Sequence, residues 1–205
     1  MRSRASASKA AGVVALPERS AAEAAQQIAA RLEATGHEYA IGGALALAVA
    51  GVPRGTADVD LNVFVSEAEI PAVATTLGQM GMDLDARAAV EAAERDGMFV
   101  ARWDGMRIDV FVPSIPFSAE ARRTRVRITV DGWSGWFLSA EAIAVFKLLF
   151  FRGKDVVDLE RLVAVRGPDL DRAYVRRWIV DMMGEADERV VRWDDIVRRL
   201  SGGAA

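Results

Sequence analysis

Two aspartates stand inside an apolar run of this chain. The run reads Asp58-Val-Asp60-Leu-Asn-Val-Phe-Val, and its alternation predicts a β-strand. Residues i and i+2 of a strand share a face, so both carboxylates would point the same way, about 7 Å apart. Like charges so placed repel each other, and a half-buried strand has no structural use for them. A divalent cation between the two carboxylates would remove the repulsion.

A third aspartate lies in a later strand of the same kind. Residues 98–103 and 106–112 predict two strands around Asp104-Gly105, and Asp-Gly between apolar runs is a strong hairpin signal. The second strand reads Arg107-Ile-Asp109-Val-Phe-Val. Adjacent strands of a sheet lie about 4.8 Å apart. Asp109 would therefore close a cage of three carboxylates with the first two.

Oxygen ligands without histidine or cysteine favour magnesium or manganese. Two such ions, about 3.5–4 Å apart, would activate a nucleophile and stabilise a leaving oxygen. The alternative is a structural role, in which the aspartates pair with Arg54 or Arg107.

Gly42 and Gly43 follow a short predicted strand, residues 38–41, and precede a predicted helix. Glycines let the backbone approach a ligand closely, and a helix N-terminus favours anions. A triphosphate with its metal ions would then lie between these glycines and the aspartates. Arg54 and Thr56 would contact phosphate; alternatively, Arg54 pairs with the first aspartate and Thr56 caps the loop.

This arrangement resembles the nucleotidyltransferase superfamily related to DNA polymerase β. The signature of that superfamily is Gly-Gly or Gly-Ser at a helix start, then Asp-x-Asp, then a third Asp on a later strand. Here these positions are Gly42-Gly43, Asp58, Asp60 and Asp109. The resemblance implies transfer of a nucleoside monophosphate from an NTP to an acceptor hydroxyl, with two magnesium ions and release of pyrophosphate.

Two further runs resemble the bacterial branch of that superfamily that holds the AbiEii-type toxins. The first run is Gly51-Val-Pro-Arg-Gly-Thr-Ala-Asp-Val-Asp-Leu, and the second is Phe146-Lys-Leu-Leu-Phe-Phe-Arg-Gly-Lys-Asp-Val-Val-Asp-Leu. In the family a helical lysine contacts the nucleotide phosphates, which implies this role for Lys147. The motif also holds Lys154, Asp155 and Asp158, which would act near the site; alternatively, the two aspartates cap the next helix.

The resemblance leaves the acceptor open. The toxin-like branch implies the 3′ end of tRNA, with a cognate antitoxin protein as a partner. Antibiotic-modifying nucleotidyltransferases share the Gly-Gly and Asp-x-Asp pattern, and they imply a small-molecule acceptor. A non-enzymatic nucleotide-binding scaffold is the third interpretation, but a scaffold has no reason to keep an acidic cluster.

The predicted elements give an α/β (α+β) fold. A mixed-sheet nucleotidyltransferase domain would occupy residues 17–138, a helical region residues 139–205, and a disordered tail residues 1–16. Further predicted elements are helices at 17–35, 44–50, after Ser66 and at 139–151, a strand at 125–130 before the Asp131-Gly132 turn, and helices from 155 to 200 with breaks near Gly167-Pro168 and Gly184. Residues 82–96 fit either a helix or a loop.

Composition excludes several classes of protein. The formal net charge of −3 gives no global basic field for nucleic acid. Four clustered arginines form either a solvated face or a local track for phosphates: Arg122, Arg123, Arg125 and Arg127. The absence of cysteine excludes disulfides and thiolate chemistry, and it fits a cytoplasmic protein. No apolar run approaches the roughly 20 residues of a membrane span, so we predict no membrane partner.

Overall fold

The computed structural model describes residues 19–201 of the 205-residue chain. The predicted tail at residues 1–16 and the predicted helix start at Pro17 lie outside these residues, as do the last four residues of the predicted helical region. Among residues 19–201 no helix combines the length and the apolar character that a bilayer span requires.

Six strands of the described residues form one mixed sheet. They are β1 (Tyr39–Ile41), β2 (Asp58–Val63), β3 (Met98–Trp103), β4 (Met106–Phe111), β5 (Val126–Val130) and β6 (Trp133–Phe137). Their order across the sheet is β3-β4-β2-β1-β6-β5. The β2–β4 and β1–β6 pairs are parallel, and the other neighbours are antiparallel. This mixed α/β architecture confirms the predicted fold class.

Nine α-helices accompany the sheet in the described part of the chain. They are α1 (Ala21–Ala34), α2 (Gly43–Val49), α3 (Ile70–Gln79), α4 (Ala86–Asp96), α5 (Phe117–Thr124), α6 (Ala140–Phe150), α7 (Gly153–Arg166), α8 (Arg172–Met183) and α9 (Glu188–Ser201). Side-chain caps start several of them: the hydroxyls of Ser20 and Ser139 accept hydrogen bonds from the first turns of α1 and α6. Short 3₁₀ turns, Glu67–Glu69 and Gly167–Asp169, precede α3 and follow α7.

Two Asp-Gly turns set the hairpins at the two edges of the sheet. Asp104 and Gly105 have φ values of +48° and +80°, and Asp131 and Gly132 have +48° and +84°. Left-handed φ at both central residues matches the twist of the flanking strands. The predicted hairpin between β3 and β4 is therefore confirmed, and the second turn joins β5 to β6.

One hydrophobic core includes side chains from the sheet and from the C-terminal helices. Val59 and Ile108 of the sheet belong to the same buried cluster as Leu148, Leu162 and Ile179 of α6 to α8. This core fixes α6 and α7 against the α/β half of the molecule. The division into two domains at residue 138 stays a prediction.

Several predicted boundaries differ from the structure. Strand β2 ends at Val63, where Val65 was expected, and α7 begins at Gly153, two residues before the predicted start of the helical pattern. Residues 82–96 contain α4, because Asp85 accepts a hydrogen bond from the Ala88 backbone N–H and caps a helix there. The sequence patterns did not predict α5 or β6.

Candidate functional site

The three predicted carboxylates come together through the pairing of β2 with β4. The register places Asp60 opposite Asp109, and Asp58 opposite Arg107. Register partners point to the same face of a sheet, so Asp58, Asp60 and Asp109 share one face. All three line one cleft of about 430 Å³.

The carboxylates do not form a closed metal cage in this conformation. Among residues 19–201 no three Asp, Glu, His or Cys side chains are arranged to hold a metal ion. The Nε of Arg107 instead donates to Oδ1 of Asp109 at 2.7 Å. The pairing that the sequence left open as an alternative is thus present for Asp109. Arg107 is 44% exposed, so this ion pair can exchange with solvent ions at low cost.

Asp60 lies at the centre of the negative charge. Burial raises the pKa of Asp60, and the nearby Asp109 and Asp58 raise it further, whereas Lys147 and Lys154 oppose the shift. The nearby positive charges are therefore too few to stabilise the ionised form of the Asp60 carboxyl fully. A cation bound beside Asp60 would supply the missing positive charge.

Gly42 and Gly43 place the backbone against Asp60. The N–H of Gly42 donates to the carbonyl oxygen of Asp60 at 2.8 Å. Gly43 has a φ of +54°, and a Cβ there would overlap the Asp60 carboxylate. A Cβ on Gly42 would lie 2.9 Å from Nδ2 of Asn62. The two glycines therefore let the Asp60 carboxylate and the Asn62 amide lie directly against the backbone, where any other residue would clash with them.

Thr56 and Arg54 line the same cleft from the loop before β2. The hydroxyl of Thr56 accepts from the Asp58 N–H at 3.2 Å and donates to the Asp58 carbonyl at 3.0 Å, which is the loop-capping alternative. The Nε of Arg54 lies 3.4 Å from Oδ1 of Asp158. Arg54 thus pairs with the helical region and leaves Asp58 to the cleft.

Lys147 forms a buried ion-pair network between α6 and α7. Its Nζ donates to Asp155 Oδ1 at 2.9 Å and to Asp158 Oδ2 at 2.6 Å. Arg152 donates to Asp155 Oδ2 from its Nε at 2.6 Å and from its backbone N–H at 3.2 Å, so Asp155 also caps α7. Burial works to raise the pKa of Asp155, but the hydrogen bonds from Arg152 and Lys147 outweigh it and hold that pKa below its usual value.

The network fixes where the cations of the site stand. An ammonium has three donors, and the two aspartates accept from two of those on Lys147. Lys147 lines the cleft, as do Arg54, Arg152 and Lys154, whereas Asp155 and Asp158 lie behind them. Lys147, Arg152 and Lys154 therefore line the cleft from α6, α7 and the connection between them, and Arg54 lines it from the loop before β2 while pairing with Asp158 of α7.

Arg152 and the aromatic wall of the cleft are not among the site residues predicted from the sequence. That wall includes Phe111 at the end of β4 and Phe150 at the end of α6. Arg152 lies in the run that carries the lysine motif, so its spacing from Lys147 was a usable signal. The two phenylalanines read as ordinary core residues, because apolar patterning does not separate a cleft wall from a core.

The clustered arginines stand apart from this cleft and are ion-paired. Each has a carboxylate partner: the pairs are Arg122–Glu38, Arg123–Glu120, Arg125–Glu38 and Arg127–Glu33. The guanidinium carbons of Arg125 and Arg127 also lie 4.7 and 5.6 Å from the ring centre of Trp136. The cluster is thus largely neutralised within the protein.

Comparison with known proteins supports the fold. No family model matches the chain, and no curated protein matches it. The solution structure of the antibiotic-resistance factor ANT(2'')-Ia is 16% identical, with a TM-score of 0.53 over 75% of this chain and 90% of that one. An antigenic nucleotidyltransferase-like protein from Paracoccidioides brasiliensis is 16% identical, with a TM-score of 0.45 over 86% of this chain and 94% of that one.

A crystal structure of ANT(2'')-Ia in complex with adenylyl-2''-tobramycin is 17% identical, with a TM-score of 0.47 over 87% of this chain and 97% of that one. At such identities the likeness to the solution structure of ANT(2'')-Ia shows a shared fold alone. None of these three structures bears on the AbiEii-type branch, which stays a prediction.

Proposed function

We propose that this protein is a metal-dependent nucleotidyltransferase that moves a nucleoside monophosphate from an NTP to an acceptor hydroxyl. One observation carries the proposal: Asp60 and Asp109 lie directly opposite each other on neighbouring parallel strands, with Asp58 on the same face. Arg107 offsets the charge of Asp109, but three carboxylates on one face still leave an excess of negative charge, and like charges opposite each other destabilise a sheet. The three carboxylates are explained by a function that needs negative charge at this place.

The cleft is lined by both carboxylates and cations, and this reaction requires both: carboxylates to hold metal ions and cations to bind phosphates. The carboxylates stand on β2 and β4, and the cations Arg54, Lys147, Arg152 and Lys154 line the same cleft. A triphosphate would lie against the cations, with its reacting end toward the carboxylates. Helix α2 has only seven residues, so we assign phosphate binding to these side chains and not to its N-terminus.

The residues of the site fit divalent cations. The donor set is all oxygen, which suits magnesium or manganese, and Asp58, Asp60 and Asp109 present it on one face of the sheet. Asp58 and Asp60 would hold two ions, and Asp109 would join one of them after exchanging its partner Arg107. When bound, the ions would neutralise phosphate charge and make the acceptor hydroxyl more acidic.

The proposed reaction is an in-line displacement at the α-phosphorus. The acceptor oxygen forms a bond to the α-phosphorus, and the bond from that phosphorus to the oxygen that bridges the α- and β-phosphates breaks. Pyrophosphate leaves with the electron pair of that bond, and the acceptor proton passes to the Asp109 carboxylate, which is 18% exposed. Arg54, Arg152 and Lys147 hold the phosphates in line, and positioning of this kind supplies much of the rate.

We favour a small hydroxyl-bearing molecule as the acceptor. The cleft volume of about 430 Å³ lies within the range of small-ligand sites. The clustered arginines that would otherwise bind a phosphate backbone form ion pairs with Glu33, Glu38 and Glu120. The absence of cysteine fits a cytoplasmic location for this enzyme.

A tRNA 3′ end, with an antitoxin protein as partner, is the second candidate. One observation favours it: Arg125 and Arg127 both lie against the half-buried Trp136, and arginine beside an aromatic ring is a combination found in proteins that bind single-stranded nucleic acid. A small regulator gene next to the gene for this protein would favour this candidate.

The test is incubation of the protein with each labelled NTP and magnesium, in the presence of total RNA or of a pool of small metabolites. We expect label in one acceptor fraction and release of pyrophosphate. Asp60→Asn should abolish the transfer, whereas the matched control Asp181→Asn, exposed on α8, should keep it. No label in RNA, protein or small molecules would refute the proposal. Magnesium-dependent NTP binding without transfer would instead support the scaffold interpretation.

A further inference from the structure

Phe150 is an exposed aromatic side chain on the wall of the cleft. It is the last residue of α6 and is 45% exposed, whereas Ala142, Ile143 and Leu148 of the same helix are buried. Among the described residues Phe150 is the one aromatic ring in the set of exposed large apolar side chains. Its position in the cleft, and not its exposure alone, points to a ligand.

A second ring and a guanidinium group form a corner with Phe150. The ring centres of Phe150 and Phe111 are 5.8 Å apart, with the planes at 53°. The guanidinium carbon of Arg152 lies 4.8 Å from the ring centre of Phe150. Arg152 is fixed there because its Nε donates to the fully buried Asp155. The corner therefore consists of two aromatic rings and a guanidinium plane, and a planar ring can stack on each of these groups.

The corner adjoins both charged parts of the cleft. Phe111 follows Asp109 by two residues on the same face of β4, which places it about 7 Å farther along the strand. Arg152 and Lys154 come two and four residues after Phe150 and also line the cleft. A planar group on the corner would thus have cations next to it and carboxylates about 7 Å away. A nucleotide, with a flat base joined to phosphates, has this distribution of chemistry.

We propose that Phe150, with Phe111 and Arg152, is the stacking platform for the base of the NTP. The inference rests on the proposed function and adds a base-binding residue to it. A stacked base is recognised by its π-face, so the platform accepts any of the four bases. Selection among bases would then depend on polar groups at the base edge.

The test compares NTPs with a ligand that has phosphates but no base. The probes are the magnesium complexes of ATP, GTP, CTP and UTP, and magnesium tripolyphosphate. Their affinities are measured by calorimetry on wild type, Phe150→Ala and Phe150→Trp. The matched control is Val157→Ala, because Val157 is also 45% exposed but lies on α7 outside the cleft wall.

Phe150→Ala should weaken NTP binding at least fivefold, since a stacked base contributes about 1–3 kcal/mol. Tripolyphosphate binding should stay unchanged, Phe150→Trp should keep the NTP affinity, and Val157→Ala should match wild type. An NTP affinity that Phe150→Ala changes by less than about twofold overturns the platform alone, and so does an equal loss for NTP and tripolyphosphate. A wild-type protein that binds no NTP overturns the platform and the proposed function together.

Discussion

Lys147→Met tests whether the buried network between α6 and α7 holds the helical region in place. The side chain of Lys147 is 8% exposed, and those of Asp155 and Asp158 are 0% and 4% exposed. Methionine keeps the apolar stem but removes the ammonium. Asp155 would retain Arg152 at 2.6 Å, and Asp158 would retain only Arg54 at 3.4 Å.

The expected loss of stability follows from the buried aspartate charges that Lys147→Met leaves without their ammonium partner. Removing one partner of a buried ion pair typically costs about 3–5 kcal/mol, because the other charge stays buried without compensation. We therefore expect Lys147→Met to lower the free energy of unfolding by about 3–5 kcal/mol. The triple variant Lys147→Met, Asp155→Asn, Asp158→Asn removes the stranded charges as well and should recover at least half of that loss.

The assay is urea unfolding at neutral pH, followed by tryptophan fluorescence, with the m value as a check that the transition is unchanged. Lys154→Met is the matched control, because Lys154 is exposed on α7, the helix that carries Asp155 and Asp158; its effect should stay within about 0.5 kcal/mol. A loss below about 1 kcal/mol for Lys147→Met would contradict the reasoning. So would a triple variant that is no more stable than the single one.

The pH dependence gives an independent check of the same network. The pKa of Asp155 is lowered in the folded protein, so its contribution to stability is present above the ordinary value of 3.8 and is lost as the pH falls below it. The stability difference between wild type and Lys147→Met should therefore shrink in that acid range.

Three further predictions concern the glycine turn, the metal and the tyrosines. Gly43→Ala should cost about 1–3 kcal/mol in urea unfolding and abolish transfer, because its φ is +54° and its Cβ would displace the Asp60 carboxylate; Gly153→Ala, with open space around its Cβ, should have little effect. Magnesium with NTP should raise the melting temperature of wild type but not of Asp60→Asn, with about 2.7 kcal/mol gained at a hundredfold excess over Kd; an equal rise in both proteins would contradict the metal site. Burial raises the pKa of Tyr39 and of Tyr174 to about 12. Phenolate absorbance should therefore appear near pH 12 in the folded protein, and stability should fall as the pH rises from 10 to 12; a midpoint near 10 would contradict both environments.

Local signals in the sequence were sufficient for much of the fold. The hairpin between β3 and β4 follows from Asp104-Gly105, since left-handed φ at both positions is tolerated by these residue types. Strand β2 follows from its alternation, and α6 follows from the Ser139 cap. In each case the signal lies within a few residues of the element it predicts.

Strand β6 and helix α5 had no such signal. Strand β6 contains Gly135, which local propensity disfavours in a strand. The ring of Trp133 fills the space that a side chain at Gly135 would need, so packing and not propensity places a glycine there. Helix α5 has eight residues, and its charged face left no clear apolar stripe.

The site was predictable in its residue types but not in its contacts. Asp-x-Asp on one strand and Asp109 on another were visible in the sequence, yet only the register of β2 with β4 shows that Asp60 and Asp109 are opposite each other. The partners of Lys147 come from the next helix, and the partner of Arg54 is on that helix too. Contacts between distant elements depend on the assembled core, which no local pattern encodes.

The parallel pairing of β2 with β4 has a consequence for how the molecule acquires its site during folding. Parallel neighbours cannot be joined by a tight turn, and here α3, α4 and β3 all lie between the two strands along the chain. The loop that closes when Asp60 meets Asp109 is long, so its entropy opposes this pairing until the intervening elements have packed. A chain that is still emerging from the ribosome, or one cut between the two strands, therefore holds the acidic residues without holding the site.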